Sequence, residues 1–348
     1  MLKKATTLLL VVVMAAAAVI PAGCSKKADL NIFTYADYIP DDVIKAFEKE
    51  TGLKVSFSTF DSNEEMLEKL RVTKNQYDLI ICSDYMIDTM VKEGGLIQKL
   101  DTSKISDYGN IDPAFQSKYY DPNNEYTIPH AAGSALLVYD SAKVNFPVTS
   151  YADLWRPEFK DRLVVLDDMR DVMGMVMLSL GYTPSETDPT ILEQVKEKLI
   201  ELKPNIKAFD ANKPHEMIIN GEAYAGYMYG SQVTAAMEGL STAKYVFPSE
   251  GMNYFIDNYV MPAGAPHPDN AYKFLEYVLQ GDVAAQISSE INYMCCDLAA
   301  KDYLPQEYLD NPTVNIPPEE LAKSHLYENI GDASVLYDEI WTEFMNSN

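Results

Sequence analysis

The sequence predicts an α/β fold of two lobes, each a mixed, mainly parallel sheet flanked by helices. Its 348 residues, 47% of them hydrophobic, are enough for two lobes and a sizeable core. Short apolar runs typical of strands alternate with longer amphipathic runs typical of helices, which is the pattern of βαβ units. One run, "YDLIICS", is largely apolar, as strands covered by helices on both faces are.

The first 23 residues do not belong to the predicted fold. Lys3 and Lys4 precede a long apolar run that ends in small residues before Cys24, which is the pattern of a secretory signal. The segment resembles a bacterial lipoprotein signal. This implies a lipid on Cys24 and an extracytoplasmic location, in the periplasm or on the outer face of the cell membrane. An alternative interpretation is that the segment is an uncleaved membrane anchor, which implies the same extracytoplasmic location. Residues 24–29 form a linker, and no later segment is apolar and long enough to span a bilayer.

The first lobe begins with the strand "LNIFTY" and a helix whose limits are marked in the sequence. Pro40 and two acids open this helix, apolar residues repeat at helical spacing, and Gly52 closes it. The next helix opens with a capping box from Ser62 to Glu65. The other elements expected in this lobe are the strands "LKVSFSTF" and "YDLIICS" and the helices "SNEEMLEKLRV" and "YMIDTMVKEGG".

Two crossovers are predicted to join the lobes, one near residues 130–136 and one near 256–260, because a hinge needs two or more connections. The first lobe is expected to comprise residues 30–133 plus about 258–300, and the second lobe 134–257 plus about 301–348. The elements expected in the second lobe include "RLVVL", "TILEQVKEKLIEL", "IKAF" and "AYAGYMYG".

The chain is strongly acidic. Its formal net charge is −24, and removal of Lys3 and Lys4 with the signal would make it −24 − 2 = −26. Such a charge argues against nucleic acid or an anionic membrane surface as the main partner and fits a cationic ligand better. The alternative explanation, that the negative charge serves only to keep the protein soluble, stays open.

Three cysteines follow the signal, Cys82, Cys295 and Cys296, and an odd number gives no disulfide framework. No C-x-x-C motif suggests zinc or redox chemistry, and the four histidines lack a paired metal-binding spacing. We therefore expect no metal and no cofactor, and we interpret the cysteines as small buried residues. A bond from Cys82 to one of the adjacent pair stays open.

Aromatic and acidic residues follow five of the predicted strands, and in α/β sheets ligands bind beyond the carboxyl ends of strands. An aromatic face attracts a cation within about 6 Å, and carboxylates accept charge-assisted hydrogen bonds from ammonium groups. The coincidence favours a site for an organic cation. The residues concerned are Tyr35, Asp37 and Tyr38; Ser83, Asp84 and Tyr85; Asp167, Asp168 and Asp171; Tyr229 and Ser231; and Tyr254, Phe255 and Asp257.

Each of these groups also has a plain structural interpretation. Asp168 and Asp171 have the spacing of a helix N-cap and its first turn. Tyr35 and Phe255, taken singly, are typical core residues. Ser83, Asp84 and Tyr85 could form a helix N-terminus that binds an anion, but the negative charge of Asp84 argues against this.

Several stretches resemble the bacterial spermidine/putrescine-binding proteins that serve ABC polyamine importers. The resemblance runs from about Leu30 to the C-terminal helix. It implies a two-lobe periplasmic-binding-protein-like fold with the ligand cleft at the hinge, a polyamine ligand, ABC permease subunits as partners, a monomer and no catalysis. The stretches that carry it are "YIPDDVIKAFEKETGLKV", "STFDSNEEMLEKL", "YDLIICSDYMIDTMVKEGGLIQKLD", "DPNNEYTIPHAAG", "SYADLWRPEFKDRLVVLDDMRDV" and "FIDNYVMPAGA".

The resemblance also implies roles for single residues. It implies that Asp168 and Asp171 receive a terminal amine and that Asp257 binds an inner or second amine. Tyr35, Tyr229 and Phe255 stand where the family often has tryptophan, so the rings here are smaller. With the strand ends, the candidate ligand-binding residues are Tyr35, Asp37, Tyr38, Ser83, Asp84, Tyr85, Asp168, Asp171, Tyr229, Phe255, Asp257, Tyr293, Tyr327 and Glu328.

Two other functions stay open at this point. One is the binding of another organic cation or small solute on the same scaffold. The other is an extracellular carbohydrate-active enzyme, since a pair of carboxylates can hydrolyse glycosides and aromatic clefts bind sugars. The sequence shows no H-E-x-x-H motif and no G-x-S-x-G nucleophile elbow.

Overall fold

The computed structural model describes residues 28–347. The predicted signal, Cys24 and most of the linker lie outside the described residues. Within the described range the chain forms strands that alternate with helices, as expected from the sequence. The strands are β1 (Leu30–Thr34), β2 (Val55–Thr59), β3 (Leu79–Ser83), β4 (Ile97–Gln98), β5 (Thr127–Asp140), β6 (Leu163–Val165), β7 (Ile206–Phe209), β8 (Ala225–Tyr229), β9 (Ala243–Val246), β10 (Asn253–Pro262), β11 (Met294–Cys295) and β12 (His325–Leu326).

The helices cover the faces of the sheets. None of them, within residues 28–347, is both long and apolar enough to cross a bilayer. They are α1 (Asp41–Thr51), α2 (Asn63–Val72), α3 (Asp84–Glu93), α4 (Met169–Ser179), α5 (Pro189–Leu202), α6 (Pro214–Ile219), α7 (Gly230–Gly239), α8 (Pro268–Val278), α9 (Gly281–Ile291), α10 (Gln306–Leu309), α11 (Pro318–Leu321) and α12 (Ser334–Asn346).

Local signals explain where the first helices begin and end. Pro40 precedes α1, whose Val43, Ile44 and Phe47 are buried, and Gly52 ends the helix with φ of 74°, a left-handed conformation that glycine adopts without strain. At α2 the Ser62 hydroxyl accepts the Glu65 N–H at 3.2 Å. The Glu65 carboxylate accepts the N–H of Asp61 and not that of Ser62, so only half of the predicted capping box forms.

The strands form one hydrogen-bonded path in the order β2-β1-β3-β10-β5-β8-β6-β7. The first lobe is built on β2, β1, β3 and β10, with β10 antiparallel to β3 and β5. The second lobe is built on β8, β6 and β7, which are mutually parallel, with β8 antiparallel to β5. Both sheets are therefore mixed, and β5 contributes to both.

Strand β5 connects the lobes because its partners change along its length. Residues 127–134 pair with β10, whereas residues 135–140 pair with β8 and β9. All 14 residues of β5 are buried. Side chains that follow strands of either lobe therefore meet along this shared strand.

The first-lobe sheet has apolar packing on both faces. In β3, Leu79 and Ile81 pack on one face while Ile80 and Cys82 pack on the other, following the two-residue period of a strand. This explains why "YDLIICS" is largely apolar. Cys82, Cys295 and Cys296 are all free thiols.

The turn before β5 is held by one buried carboxylate. Asp121 accepts the backbone N–H groups of Glu125, Tyr126 and Thr127 at 2.8 to 3.0 Å, and the Thr127 hydroxyl at 2.9 Å. The turn chemistry at Pro122 thus leads directly into the strand that joins the lobes.

We expect Asp121→Asn to destabilise the fold by about 2–4 kcal/mol. The amide nitrogen cannot accept a hydrogen bond, so at least one buried N–H loses its partner. Urea unfolding measures the change. Asp302→Asn, at an exposed position, is the control and should stay within about 0.5 kcal/mol of wild type. Equal stability of the two variants would contradict this account of the turn.

Candidate functional site: an acidic, aromatic cleft between the lobes

A cavity of about 360 Å³ lies where β1, β3, β6 and β8 end, against β10. This volume falls in the range of small-molecule sites, roughly 300–1,000 Å³. Its lining comes from both lobes: Tyr35, Ala36, Asp37, Tyr38, Phe60, Asp61, Asn63, Ser83, Tyr85, Asp168, Arg170, Asp171, Ala211, Asn212, Lys213, Tyr229, Ser231, Gln232, Phe255, Asp257, Glu290, Ile291, Tyr293 and Tyr327.

Asp257 is the buried carboxylate of the first-lobe wall. Its two oxygens accept the Tyr38 hydroxyl at 2.5 Å and the Ser83 hydroxyl at 2.6 Å. Burial raises the pKa of Asp257 to about 6, although both hydrogen bonds oppose the rise. Ser83 is itself fixed by the Asn63 amide at 3.1 Å and lies 3.2 Å from the Tyr35 hydroxyl.

Asp168 and Asp171 form the acidic end of the second-lobe wall. The Asp168 carboxylate accepts the Asp171 N–H at 3.0 Å and so caps α4, as the structural interpretation of the pair requires. Both residues also line the cavity, so a role in capping the helix does not prevent them from belonging to the site. The Asp171 carboxylate accepts the hydroxyls of Tyr229 at 3.0 Å and Tyr327 at 2.6 Å. Burial first, and then the charge of Asp168, raises the pKa of Asp171 to about 7.

These three carboxylates have no basic partner within 4.0 Å among residues 28–347, since every ion pair there uses other acids. Phenols, a serine hydroxyl and backbone groups are their donors. Arg170 lowers the pKa values of Asp168 and Asp171, but burial outweighs it. The cleft is therefore electronegative and can accept a cation.

Six aromatic rings form a continuous chain along the cavity. Successive ring centroids lie 4.5 to 6.0 Å apart, mostly edge to face. The chain offers ring surfaces on which an alkyl segment or a cation can rest. In order along the cavity, the rings belong to Phe60, Tyr35, Tyr38, Tyr293, Phe255 and Tyr229.

Gly133 of β5 makes room for two of these rings. A Cβ atom at this position would lie 2.7 Å from Cδ1 of Tyr293 and 2.9 Å from Cζ of Phe255. Both distances are far below a normal carbon–carbon contact. A side chain at residue 133 would therefore displace the rings from their present places in the cavity lining.

Most of the sequence-derived candidates line the cavity. They reach it because strands of both lobes end there, as the rule on carboxyl ends of strands requires. Asp37 also lines the cavity, and its backbone has φ of 55°, a left-handed conformation that aspartate tolerates better than most residues. The candidates in the lining are Tyr35, Asp37, Tyr38, Ser83, Tyr85, Asp168, Asp171, Tyr229, Phe255, Asp257, Tyr293 and Tyr327.

Two candidates, Asp84 and Glu328, are not among the residues that line the cavity. Asp84 is fully buried at the start of α3, where its carboxylate accepts the N–H groups of Tyr85 at 2.7 Å and Ile256 at 3.3 Å. Its charge therefore serves the backbone. Glu328 is exposed, and its backbone N–H donates to Ser185.

Some lining residues were not among the candidates. Phe60, Asp61 and Asn63 follow β2, so the rule on strand ends could have found them. The same rule could have found the residues that follow β1, β6, β7 and β8, which are Ala36, Arg170, Ala211, Asn212, Lys213 and Gln232, together with Ser231, which the sequence already places at a strand end. Glu290 and Ile291 lie at the end of α9 and carry no such local signal, because tertiary packing alone brings them to the cavity.

Comparison with known proteins shows the family of this chain. Residues 42–315 match the model of a family described as bacterial extracellular solute-binding protein. The chain belongs to this family. The spermidine/putrescine-binding periplasmic protein of Salmonella typhimurium is 34% identical to this solute-binding protein over 92% of each chain.

Solved structures of relatives share the fold. A putative spermidine/putrescine ABC transporter protein from Listeria monocytogenes superposes with a TM-score of 0.87 at 30% identity, covering 92% of the solute-binding protein and 99% of that chain. A spermidine/putrescine ABC transporter substrate-binding protein from Streptococcus pneumoniae gives a TM-score of 0.77 at 33% identity, covering 91% and 98%. The fold of two lobes with a cleft at the hinge, expected from the resemblance, is confirmed.

We expect Tyr38→Phe to raise the pKa of Asp257 above its value of about 6. The Tyr38 hydroxyl stabilises the charged carboxylate, so its removal favours the protonated form. Carboxyl ¹³C NMR titration of the solute-binding protein measures the shift. Tyr303→Phe, at an exposed tyrosine, serves as control and should leave the pKa unchanged. A pKa that stays constant or falls in Tyr38→Phe contradicts the assigned hydrogen bond.

Proposed function

We propose that this solute-binding protein captures a polyamine, spermidine and/or putrescine, in the cleft and delivers it to an ABC permease. The observation that carries the proposal is a set of three carboxylates that have only neutral donors within hydrogen-bond range: the buried Asp171 and Asp257, and the partly buried Asp168. The ammonium groups of a polyamine would supply the cationic partners that these carboxylates lack.

Polyamine chemistry matches both features of the cleft. Ammonium groups can donate charge-assisted hydrogen bonds to the carboxylates, and the methylene segments between them can lie on the aromatic rings. We assign one amine to Asp257 and a terminal amine to the pair Asp168 and Asp171. The proposed ligand-contacting residues are Tyr35, Asp37, Tyr38, Ser83, Tyr85, Asp168, Asp171, Tyr229, Phe255, Asp257, Tyr293 and Tyr327.

The names of the relatives support the ligand class. Relatives that match over about nine-tenths of the chain are described as binding spermidine and putrescine or as parts of ABC transporters for them. The acids found here suit such ligands on chemical grounds alone, so two independent arguments agree. The proposal includes binding without catalysis, and the names of the same relatives, which describe transport proteins, support it.

The proposal extends to the setting of the protein. The lipidated Cys24 would hold a monomer at the outer face of the membrane beside the permease subunits. The lobes would divide near residues 133 and 257, and ligand binding across the cleft would stabilise the closed arrangement. The partner change along β5, between residues 134 and 135, supports a hinge at this place.

We expect Asp171→Asn and Asp257→Asn each to weaken polyamine binding about 10- to 100-fold, the loss of one charge-assisted hydrogen bond in a buried site. Isothermal titration calorimetry with spermidine and putrescine measures the affinities. Asp302→Asn, which changes the same charge on the surface, is the matched control. Wild-type protein that gives no heat with either polyamine would overturn the proposed function.

We expect polyamine affinity to rise with pH between about 5 and 8. Asp257 and Asp171, with pKa values of about 6 and about 7, gain their negative charges in this window. Alkylammonium groups, with pKa values of about 10, keep their positive charges throughout. Calorimetry at several pH values measures the trend, and affinity that falls as the pH rises would contradict it.

The stability of the free protein should change in the opposite direction. Because the folded pKa values of Asp171 and Asp257 lie above the unfolded values, the folded state binds more protons between about pH 4 and 7. The contribution of these two groups to stability therefore falls as the pH rises through this range. Thermal unfolding with and without spermidine separates this effect from ligand binding, since a bound cation should offset it.

A further inference from the structure

Arg170 is a buried cation in a cavity whose lining is rich in acids and aromatic rings. It lies in α4 between the two acids of the second-lobe wall, and only 3% of its surface is exposed. Lys213, the other basic residue of the lining, is exposed, so solvent screens its charge. Arg170 therefore contributes a fixed positive charge at one place in the cleft.

Contacts from both lobes fix the guanidinium. It lies 4.5 Å from the ring centroid of Tyr85, which follows β3 of the first lobe, and 5.2 Å from that of Tyr327. Nη2 donates to the Ser185 hydroxyl at 3.2 Å and to the Glu328 carbonyl at 3.0 Å. The guanidinium also lies 5.6 Å from the ring centroid of Tyr337, so it is held by three rings and two neutral acceptors.

Acids of both lobes surround this cation without forming a close ion pair with it. Glu64 of α2 accepts the Tyr85 hydroxyl at 3.1 Å, and burial together with the charge of Asp168 raises the pKa of Glu64. Arg170 opposes this rise and lowers the pKa values of Asp168 and Asp171 as well. One fixed positive charge therefore offsets part of a cluster of three acids.

We propose that Arg170 is a specificity-determining residue whose guanidinium occupies the place that an additional ammonium group would need at this end of the cleft. The cavity then binds diamines and triamines in preference to tetraamines. A further ammonium beside Arg170 would meet a like charge and would have to displace the guanidinium from Tyr85 and Tyr327. The inference rests on the proposed polyamine function and adds an upper limit on the charge and length of the ligand.

The test compares three amines of increasing length, putrescine, spermidine and spermine, by isothermal titration calorimetry. We expect the wild-type protein to bind spermine at least about tenfold more weakly than spermidine. Arg170→Gln and Arg170→Met remove the charge, and we expect either variant to reduce this ratio by about tenfold or more because the acid cluster becomes free to bind the extra ammonium. Arg170→Lys keeps a charge and should keep most of the discrimination.

Arg162→Gln is the matched control, since Arg162 belongs to the same lobe, does not line the cavity and has a 38% exposed side chain. Thermal unfolding identifies the variants that remain folded. Wild-type binding of spermine as tight as that of spermidine, or an equal loss of affinity for all three amines in the neutral variants, overturns the inference and leaves Arg170 with a structural role. Failure of the wild-type protein to bind any of the three amines instead contradicts the proposed function itself.

Discussion

Asp171 and Asp257 are buried carboxylates whose close hydrogen-bond donors are uncharged, and most features of the cleft follow from this constraint. Burial of a carboxylate without a cation is costly, and the protein answers with phenol and hydroxyl donors that lower the cost without removing it. The remaining cost appears as raised pKa values of about 7 and about 6. A ligand that supplies positive charge reduces this cost. The burial of unpaired carboxylates, which is unfavourable in the ligand-free fold, therefore contributes to ligand affinity.

The tyrosines of the cleft reduce part of the cost of burying these carboxylates. The Tyr229 hydroxyl donates to Asp171 at 3.0 Å, and the Tyr35 hydroxyl lies 3.2 Å from the Ser83 hydroxyl, which itself donates to Asp257. A phenol carries its hydroxyl at the tip of the ring. These hydroxyls therefore couple the aromatic wall to the carboxylates. Phe255 has no such group and contributes only ring surface.

The fold and much of the site could be predicted because their signals are local. The proline, acids and glycine around α1 mark that helix, and residues that follow strands converge on one cavity. The two-residue strands β4, β11 and β12 carry no pattern, because they exist only through pairing with the long strands β5 and β10. Sequence position also does not reveal that the carboxylate of Asp84 accepts the backbone N–H of Ile256. The setting of Arg170 likewise depends on Tyr85, which is distant in sequence.

The position of Asp257 depends on an irregularity in the pairing of the two strands that join the lobes. Asp257 pairs with Ala131, but Asn258 pairs with Pro129, so His130 is left without a partner on β10. Such a bulge changes the direction of nearby side chains. His130 packs against the ring of Tyr38, and its Nε2 lies 3.2 Å from the Tyr38 carbonyl oxygen. Burial lowers the pKa of His130 to about 4, so the ring is neutral and adds no charge beside Asp257. The bulge thus brings together the strand that carries the acid and the residue that donates to it, at the place where both lobes share β5.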